Sequence, residues 1–199
     1  MVAHFPVDKS RRHCTCQLFV RNVILLESFK RRKFDLRVYV LFDNIKETGV
    51  SSYVHQRILT RFSPGEYQGD YFAKGRNNNY ERKKQHVTNS AFQVLDNDLE
   101  PLTVPFDKVL TAIEEERGEV AAQTVATRLR AVLADTVRRV VPHLALFDCK
   151  ACFKLLGFDL LVTDDLKLVL LEINSDPSTK YRTSTHVHVL HVSHFAEVD

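Results

Sequence analysis

The sequence predicts an α/β fold of the α+β kind, a mainly antiparallel sheet flanked by helices. Three observations carry this. Phe34, Leu36, Val38, Val40 and Phe42 alternate with Asp35, Arg37, Tyr39 and Leu41, the period of two of a strand with one buried face. Val125, Leu129, Val132, Leu133, Thr136, Val137 and Val140 recur at helical spacing. Two apolar runs within 151–174 are separated by the polar pair Asp164-Asp165, the pattern of a hairpin. With 199 residues, 44% of them hydrophobic and 27% charged, the chain suits one large domain or a piece of one with a substantial core.

In chain order, residues 1–16 are polar and irregular. Residues 17–27 read as a strand with an irregular apolar end, and 33–43 as the clearest strand of the protein. After a turn through Gly49, residues 53–62 read as the next strand, paired antiparallel. Residues 63–84 are rich in Gly, Asn and charge and are expected to form a loop. A polar linker follows 86–92 and ends at Pro105. One helix is expected from Phe106, and a longer one over 119–141 that Pro142 ends. The hairpin over 151–174 is expected to turn at residues 164–167.

Charge is unevenly distributed. Residues 1–90 hold 17 Lys/Arg against 8 Asp/Glu, a balance of +9; residues 91–199 hold 11 against 17, a balance of −6. Lys30-Arg31-Arg32-Lys33 and Arg82-Lys83-Lys84 are the basic clusters. They suit a polyanionic partner or, equally, a solvated surface. Charges interrupt every apolar run, so no membrane span is expected. No compact apolar leader is present, so Cys14, Cys16, Cys149 and Cys152 are expected as reduced thiols.

The hairpin carries the sharpest chemistry. Glu172 and Asn174 share one face of their strand. With a four-residue turn, Asp159 lies directly across from Glu172, about 5 Å away. Facing carboxylates are costly to bury without a positive charge between them. Two carboxylates and an amide oxygen suit Mg²⁺, which takes its other ligands from water and substrate phosphates. The alternative is that one carboxylate points outward or meets an arginine. On the strand 33–43, Lys33, Asp35 and Arg37 share the face opposite the apolar one, where Lys33 and Arg37 suit phosphate oxygens. The alternative for that triplet is the solubility face of an edge strand.

The stretches KFDLRVYVLF, HVTN and LLGFDLLVTDDLKLVLLEINSDPS together resemble the tubulin–tyrosine ligase and tubulin–tyrosine ligase-like proteins of the ATP-grasp superfamily. The resemblance runs over residues 17–178, with Val23 where that family usually has a proline. It implies a partial ATP-grasp fold: an N-terminal stub (1–16), the C-terminal subdomain of the ligase (17–178) and a poorly ordered His-rich tail (179–199). It implies that Lys33, Asp35, Arg37, Thr88 and Asn89 contact ATP. Arg37 and Arg61 would be catalytic, and Asp159, Glu172 and Asn174 would be the Mg²⁺ ligands.

The implied activity is ATP-dependent ligation of an amino acid to tubulin through an acyl phosphate, as a polyglutamylase, glycylase or tyrosine ligase. The implied partners are the acidic tubulin tail, microtubules and a free amino acid, with no nucleic acid and no membrane. The implied location is cytoplasmic and cytoskeletal, at microtubules and in a cilium or basal body. The family's central lid should precede Gln17, so the chain is expected to be a fragment or truncated form. The alternative is a non-catalytic module that binds tubulin tails. A small-molecule ATP-grasp ligase is a third reading. His186, His188, His191 and His194 have a spacing compatible with zinc or nickel, and separately the four cysteines with zinc, but biased tail composition and core packing explain them as well.

Overall fold

The computed structural model describes residues 2–3, 16–44, 49–69, 84–88, 103–144, 152–182, 187–189 and 195–197. The organising element is the long strand β3 (Arg32–Asp43), preceded by the short pair β1 (Val2–Ala3) and β2 (Cys16–Gln17). One edge of β3 pairs first with β5 (Leu59–Glu66) and then with β4 (Ser51–His55); the other pairs with β7 (Phe153–Val162). β6 (Thr103–Pro105) extends the sheet beyond β5, and β8 (Leu168–Asn174) extends it beyond β7. Every ladder is antiparallel, and β3 is a central strand, not the edge that its polar face alone would permit. After β8, β9 (Lys180–Arg182) pairs with β10 (Val187–Val189), and β11 (Phe195–Glu197) joins the main sheet beside β4.

Helices α1 (Phe106–Arg117) and α2 (Glu119–Val140) cover one face of the sheet. Gly118 alone joins them. Its φ of 88° lies where side chains are disfavoured, and its N–H bonds Glu114 O at 2.8 Å. The core takes Phe34, Leu36, Val38, Val40 and Phe42 from β3, Leu156, Phe158, Leu160 and Val162 from β7, and Val125, Leu129, Leu133 and Val137 from α2. Val132 and Val140 pack at its margin, so the helical periodicity reads the buried stripe of α2 correctly. Among the described residues, no helix is long and apolar enough to cross a membrane.

Several local expectations change, among them the loop expected over 63–84, since β5 runs on through Glu66. The apolar run in 17–27 forms no strand beyond Gln17. Only Val23 bridges to Thr163, and Ile24 N–H bonds Val162 O at 3.0 Å. Its alternation arises because Ile24 and Leu26 enter the helix-side core, while Val23 joins Leu161 and Tyr67 on the other face. The single strand expected over 53–62 is two, broken where Arg57 N–H donates to His55 Nδ1 at 3.1 Å. The thiols are not all reduced, because Cys152 is disulfide-bonded; it also packs against the core.

The turn before β3 is fastened from outside the sheet. Glu116 of α1 accepts from Glu27 N–H and Ser28 N–H, each at 2.9 Å, and from the Ser28 hydroxyl at 2.7 Å. Burial alone would raise the Glu116 carboxyl, but these bonds hold it below its ordinary range.

Candidate functional site

The sheet face away from the helices is polar at its centre. Antiparallel register sets Arg37 beside Asp159, and Asp159 beside Glu172, as a row across β3, β7 and β8. The adjacent row is Tyr39, Gly157 and Asn174. Asp35 pairs with Arg61 of β5 on the other side of β3. Directly opposed residues share a face, so these pairings gather side chains far apart in sequence.

The register at Asp159 depends on a defect. The turn is closed by Thr163 N–H to Lys167 O at 2.9 Å, with Leu166 at a left-handed φ of 60°. Val162 therefore faces Leu168, one position off the register that a turn over 164–167 gives. A bulge follows: Leu160 faces Leu170, but Asp159 faces Glu172, leaving Leu171 as the extra residue. Without it, Glu172 would fall opposite Phe158 and point into the helix-side core. The bulged carbonyl of Leu171 accepts the Gln17 side-chain amide at 2.8 Å. That anchor came from outside the sequence motifs.

The charged groups form a lattice. Arg61 holds Asp35 in a two-pronged pair, with Nε and Nη2 each 2.7 Å from a carboxylate oxygen, and Nη2 lies 3.0 Å from Asp159 Oδ2. Arg37 grips Asp159 the same way, with Nη2 at 2.8 Å and Nε in close contact with Oδ1. Thr88 donates to Asp35 at 2.6 Å. Both aspartates are only 3% exposed. Burial would raise the Asp159 carboxyl, but the Arg37 hydrogen bond and the charges of Arg61 and Arg37 hold it below its usual range. Burial would likewise lower the Arg61 guanidinium, but its bonds and charge interactions with Asp35 and Asp159 keep it firmly protonated.

Glu172 is exposed and Asn174 half-buried. Asn174 Nδ2 donates at 3.2 Å to both Asp159 Oδ2 and Glu172 Oε1, so the three expected metal ligands are neighbours, with the amide nitrogen between the two carboxylates. Their oxygen donors suit a hard divalent cation. The arginine alternative is what the contacts show at Asp159, which meets Arg37 and Arg61. Asp159 Oδ2 already faces Arg37 Nη2, Arg61 Nη2 and Asn174 Nδ2, whereas Oδ1 meets Arg37 Nε, so Oδ1 is the oxygen with a lone pair to spare. Among the described residues, no group of three or more His, Cys, Asp or Glu is placed so that it could hold a metal ion by itself.

Lys33 is half-buried beside this lattice, with Nζ 5.4 Å from the centre of the Phe19 ring. Burial lowers its pKa, against the pull of Asp35. Asn89, the histidines of the tail outside 187–189 and the basic pair Arg82-Lys83 lie outside the described residues. Two features escaped the sequence reading. A Cβ on Gly157 would lie 2.8 Å from Pro177 Cβ and 3.3 Å from Arg37 Cδ. Tyr39, expected as core or sheet face, is buried and donates its hydroxyl to Ser178 O at 2.6 Å. A glycine inside an apolar strand was the available signal for close approach.

The profile of the tubulin-tyrosine ligase family matches residues 3–192. The chain is 28% identical over 184 residues to the tubulin polyglutamylase TTLL13 of Mus musculus, covering 85% of this chain and 22% of that protein. It is 27% identical over 184 residues to the probable tubulin polyglutamylase ttll-9 of Caenorhabditis elegans, covering 86% of this chain and 40% of that protein. It is 30% identical over 166 residues to the probable tubulin polyglutamylase TTLL9 of Rattus norvegicus, covering 81% of this chain and 32% of that protein. The chain thus spans less than half the length of each of these relatives.

Proposed function

The chain belongs to the tubulin-tyrosine ligase family, and from that premise we propose that its polar sheet face is the nucleotide-and-metal wall of an ATP-dependent ligase. The ligase joins an amino acid to a carboxylate of the tubulin tail, with glutamate favoured by the polyglutamylase names of the relatives. The observation that carries this reading is that Asp159, Glu172 and Asn174 lie side by side, joined by the Asn174 amide, next to two arginines on strands whose opposite face is core. Buried charge without a ligand to serve is a poor source of stability, because the desolvation of each ion offsets most of its attraction.

The donor set fits Mg²⁺. Asp159, Glu172 and Asn174 would hold it, and it would supply charge neutralisation at the ATP phosphates. Lys33, Arg37, Arg61, Thr88 and Asn89 would face the phosphates, Arg being the better two-pronged partner. Asp35 fixes the Arg61 guanidinium in plane. An arginine so held needs no reorganisation when charge develops in front of it.

In the reaction, a substrate carboxylate oxygen attacks the γ-phosphorus of ATP and the bond to the β-phosphate oxygen breaks, releasing ADP. The amino group of the incoming amino acid attacks the resulting acyl phosphate. Inorganic phosphate leaves, the amine loses a proton and an amide remains. No nucleophile of the protein is consumed; its contribution is position and positive charge. The acidic tubulin tail matches the +9 balance of residues 1–90. The site of action would be the microtubule cytoskeleton.

The test is incorporation of labelled glutamate into tubulin, with glycine and tyrosine as parallel arms. The expected signal requires ATP and Mg²⁺ and disappears in Glu172→Gln. Equal background signal from wild type and E172Q in all three arms would sink the ligase reading. Retained binding to tubulin tails in that case would identify a non-catalytic module.

A further inference from the structure

After Asn174 the chain does not leave the sheet directly. Pro177 is buried and sits on the bare backbone of Gly157, close enough that a Cβ there would lie 2.8 Å from the Pro177 Cβ. One residue later, the Ser178 carbonyl accepts the Tyr39 hydroxyl at 2.6 Å. Gly157 faces both Tyr39 and Asn174 in the ladders. Residues 175–178 therefore cross back along the row Asn174, Gly157, Tyr39 as a short strap over the site face. The same empty position on Gly157 receives Arg37, whose Cδ would be 3.3 Å from that Cβ. Tyr39 is 2% exposed and braced edge-on by His55, with ring centres 6.5 Å apart. Burial raises the phenol, against the charges of Arg37 and Arg61, so it stays a donor at neutral pH.

We infer that Tyr39 is a positioning residue: by tying down Ser178 across Gly157 it holds the strap, and the strap fixes the Asn174 amide between Asp159 and Glu172. The metal-binding half of this inference rests on the ligase reading above; the strap half does not. Groups that orient a ligand from behind commonly change metal affinity about 10-fold to 100-fold when removed. The Tyr39 contact reaches Asn174 through four residues of chain, so the lower end of that range applies.

The experiment uses the full chain as wild type, Tyr39→Phe, Pro177→Ala and Glu172→Gln, with far-UV circular dichroism as the check of folding. The first readout is the pair of Asn174 side-chain amide resonances, assigned by their loss in Asn174→Asp. In Y39F and P177A they should move toward free-amide positions; unchanged resonances in both folded variants overturn the inference. The second readout is Mn²⁺ affinity measured by electron paramagnetic resonance. Y39F should weaken it about 10-fold with the polar lattice intact, and E172Q should abolish it. Moved resonances with unchanged Mn²⁺ affinity overturn the link from strap to metal. Mn²⁺ binding that E172Q leaves unaltered, or none in wild type, overturns the metal reading itself. The resonances still decide the strap.

Discussion

Arg61→Met should be among the most damaging single changes on the sheet face. Arg61 gives two bonds of 2.7 Å to Asp35 and reaches Asp159 at 3.0 Å. Its removal leaves Asp35, 3% exposed, with the Thr88 hydroxyl and the more distant Lys33 charge in place of a two-pronged partner. Breaking a buried pair from one side costs about 3–5 kcal/mol, because the remaining ion is desolvated and uncompensated. At about 2–4 °C per kcal/mol for a chain of this size, the melting temperature should fall by on the order of 10 °C. The double variant D35L/R61M removes both ions and should recover most of the loss, ending within about 1.5 kcal/mol of wild type. Urea unfolding of wild type, both single variants and the double variant gives the coupling energy directly. Coupling below about 0.5 kcal/mol, the additivity expected of independent sites, would refute the view that Asp35 and Arg61 act as one buried unit. The recovered double variant should be stable and inactive.

Three further outcomes follow from the same face. Lys33→Met should leave stability unchanged or higher at neutral pH, measured by thermal melts, while reducing ATP-dependent activity. Burial depresses the folded-state pKa of Lys33, so its charge opposes folding at pH values below its unfolded value. Arg37→Met should raise the pH midpoint of acid unfolding. The depressed Asp159 carboxyl contributes stability above its unfolded value of about 3.9, and that stability is lost as pH falls through the folded value. Without Arg37 the folded value rises and the loss begins at higher pH. Gly157→Ala should cost about 1–3 kcal/mol in chemical denaturation, since its methyl meets Pro177 Cβ at 2.8 Å and Arg37 Cδ at 3.3 Å.

The elements legible in the sequence are those with one buried face and one polar face. β3 and α2 are such elements, and their period states which residues enter the core. The run of residues 17–27 misleads because it serves two hydrophobic clusters on opposite sides, which imitates a strand without a ladder. The break between β4 and β5 has no Gly or Pro signal; a His55 side chain makes the turn. β6, at three residues including a proline, is below what pattern can show. For the site, residue types and faces were legible, and so was the pairing of Asp159 with Glu172. The route to that pairing was not: a displaced turn and the bulge at Leu171 cancel each other. Which arginine meets which aspartate also needed the structure, because register between β3, β5 and β7 is set by tertiary packing.

The energetics of the two faces separate what folds the chain from what the chain keeps. On the helix side, Leu36, Val38, Val40, Phe158 and Leu160 are fully buried, and burial of such side chains stabilises by about 1.5–3 kcal/mol each. On the other side, positions of the same strands carry Asp35, Arg37 and Asp159, with Arg61 from β5. Apolar replacements there would be neutral or stabilising by roughly 1–4 kcal/mol if the fold were the only requirement. Leu161, Val23 and Tyr67 show that this same face accepts apolar packing one step along the sheet. The polar lattice spans the Asp35–Arg61 pair and the two rows that end at Glu172 and Asn174, where the exposed carboxylate meets solvent. Charges held at a fold's expense, in a place where the fold would accept leucine, are best understood by what approaches from the solvent side. Arginines locked by aspartates beside a carboxylate–amide pair open to water are what the proposed ligand, a polyphosphate with its cation, would require.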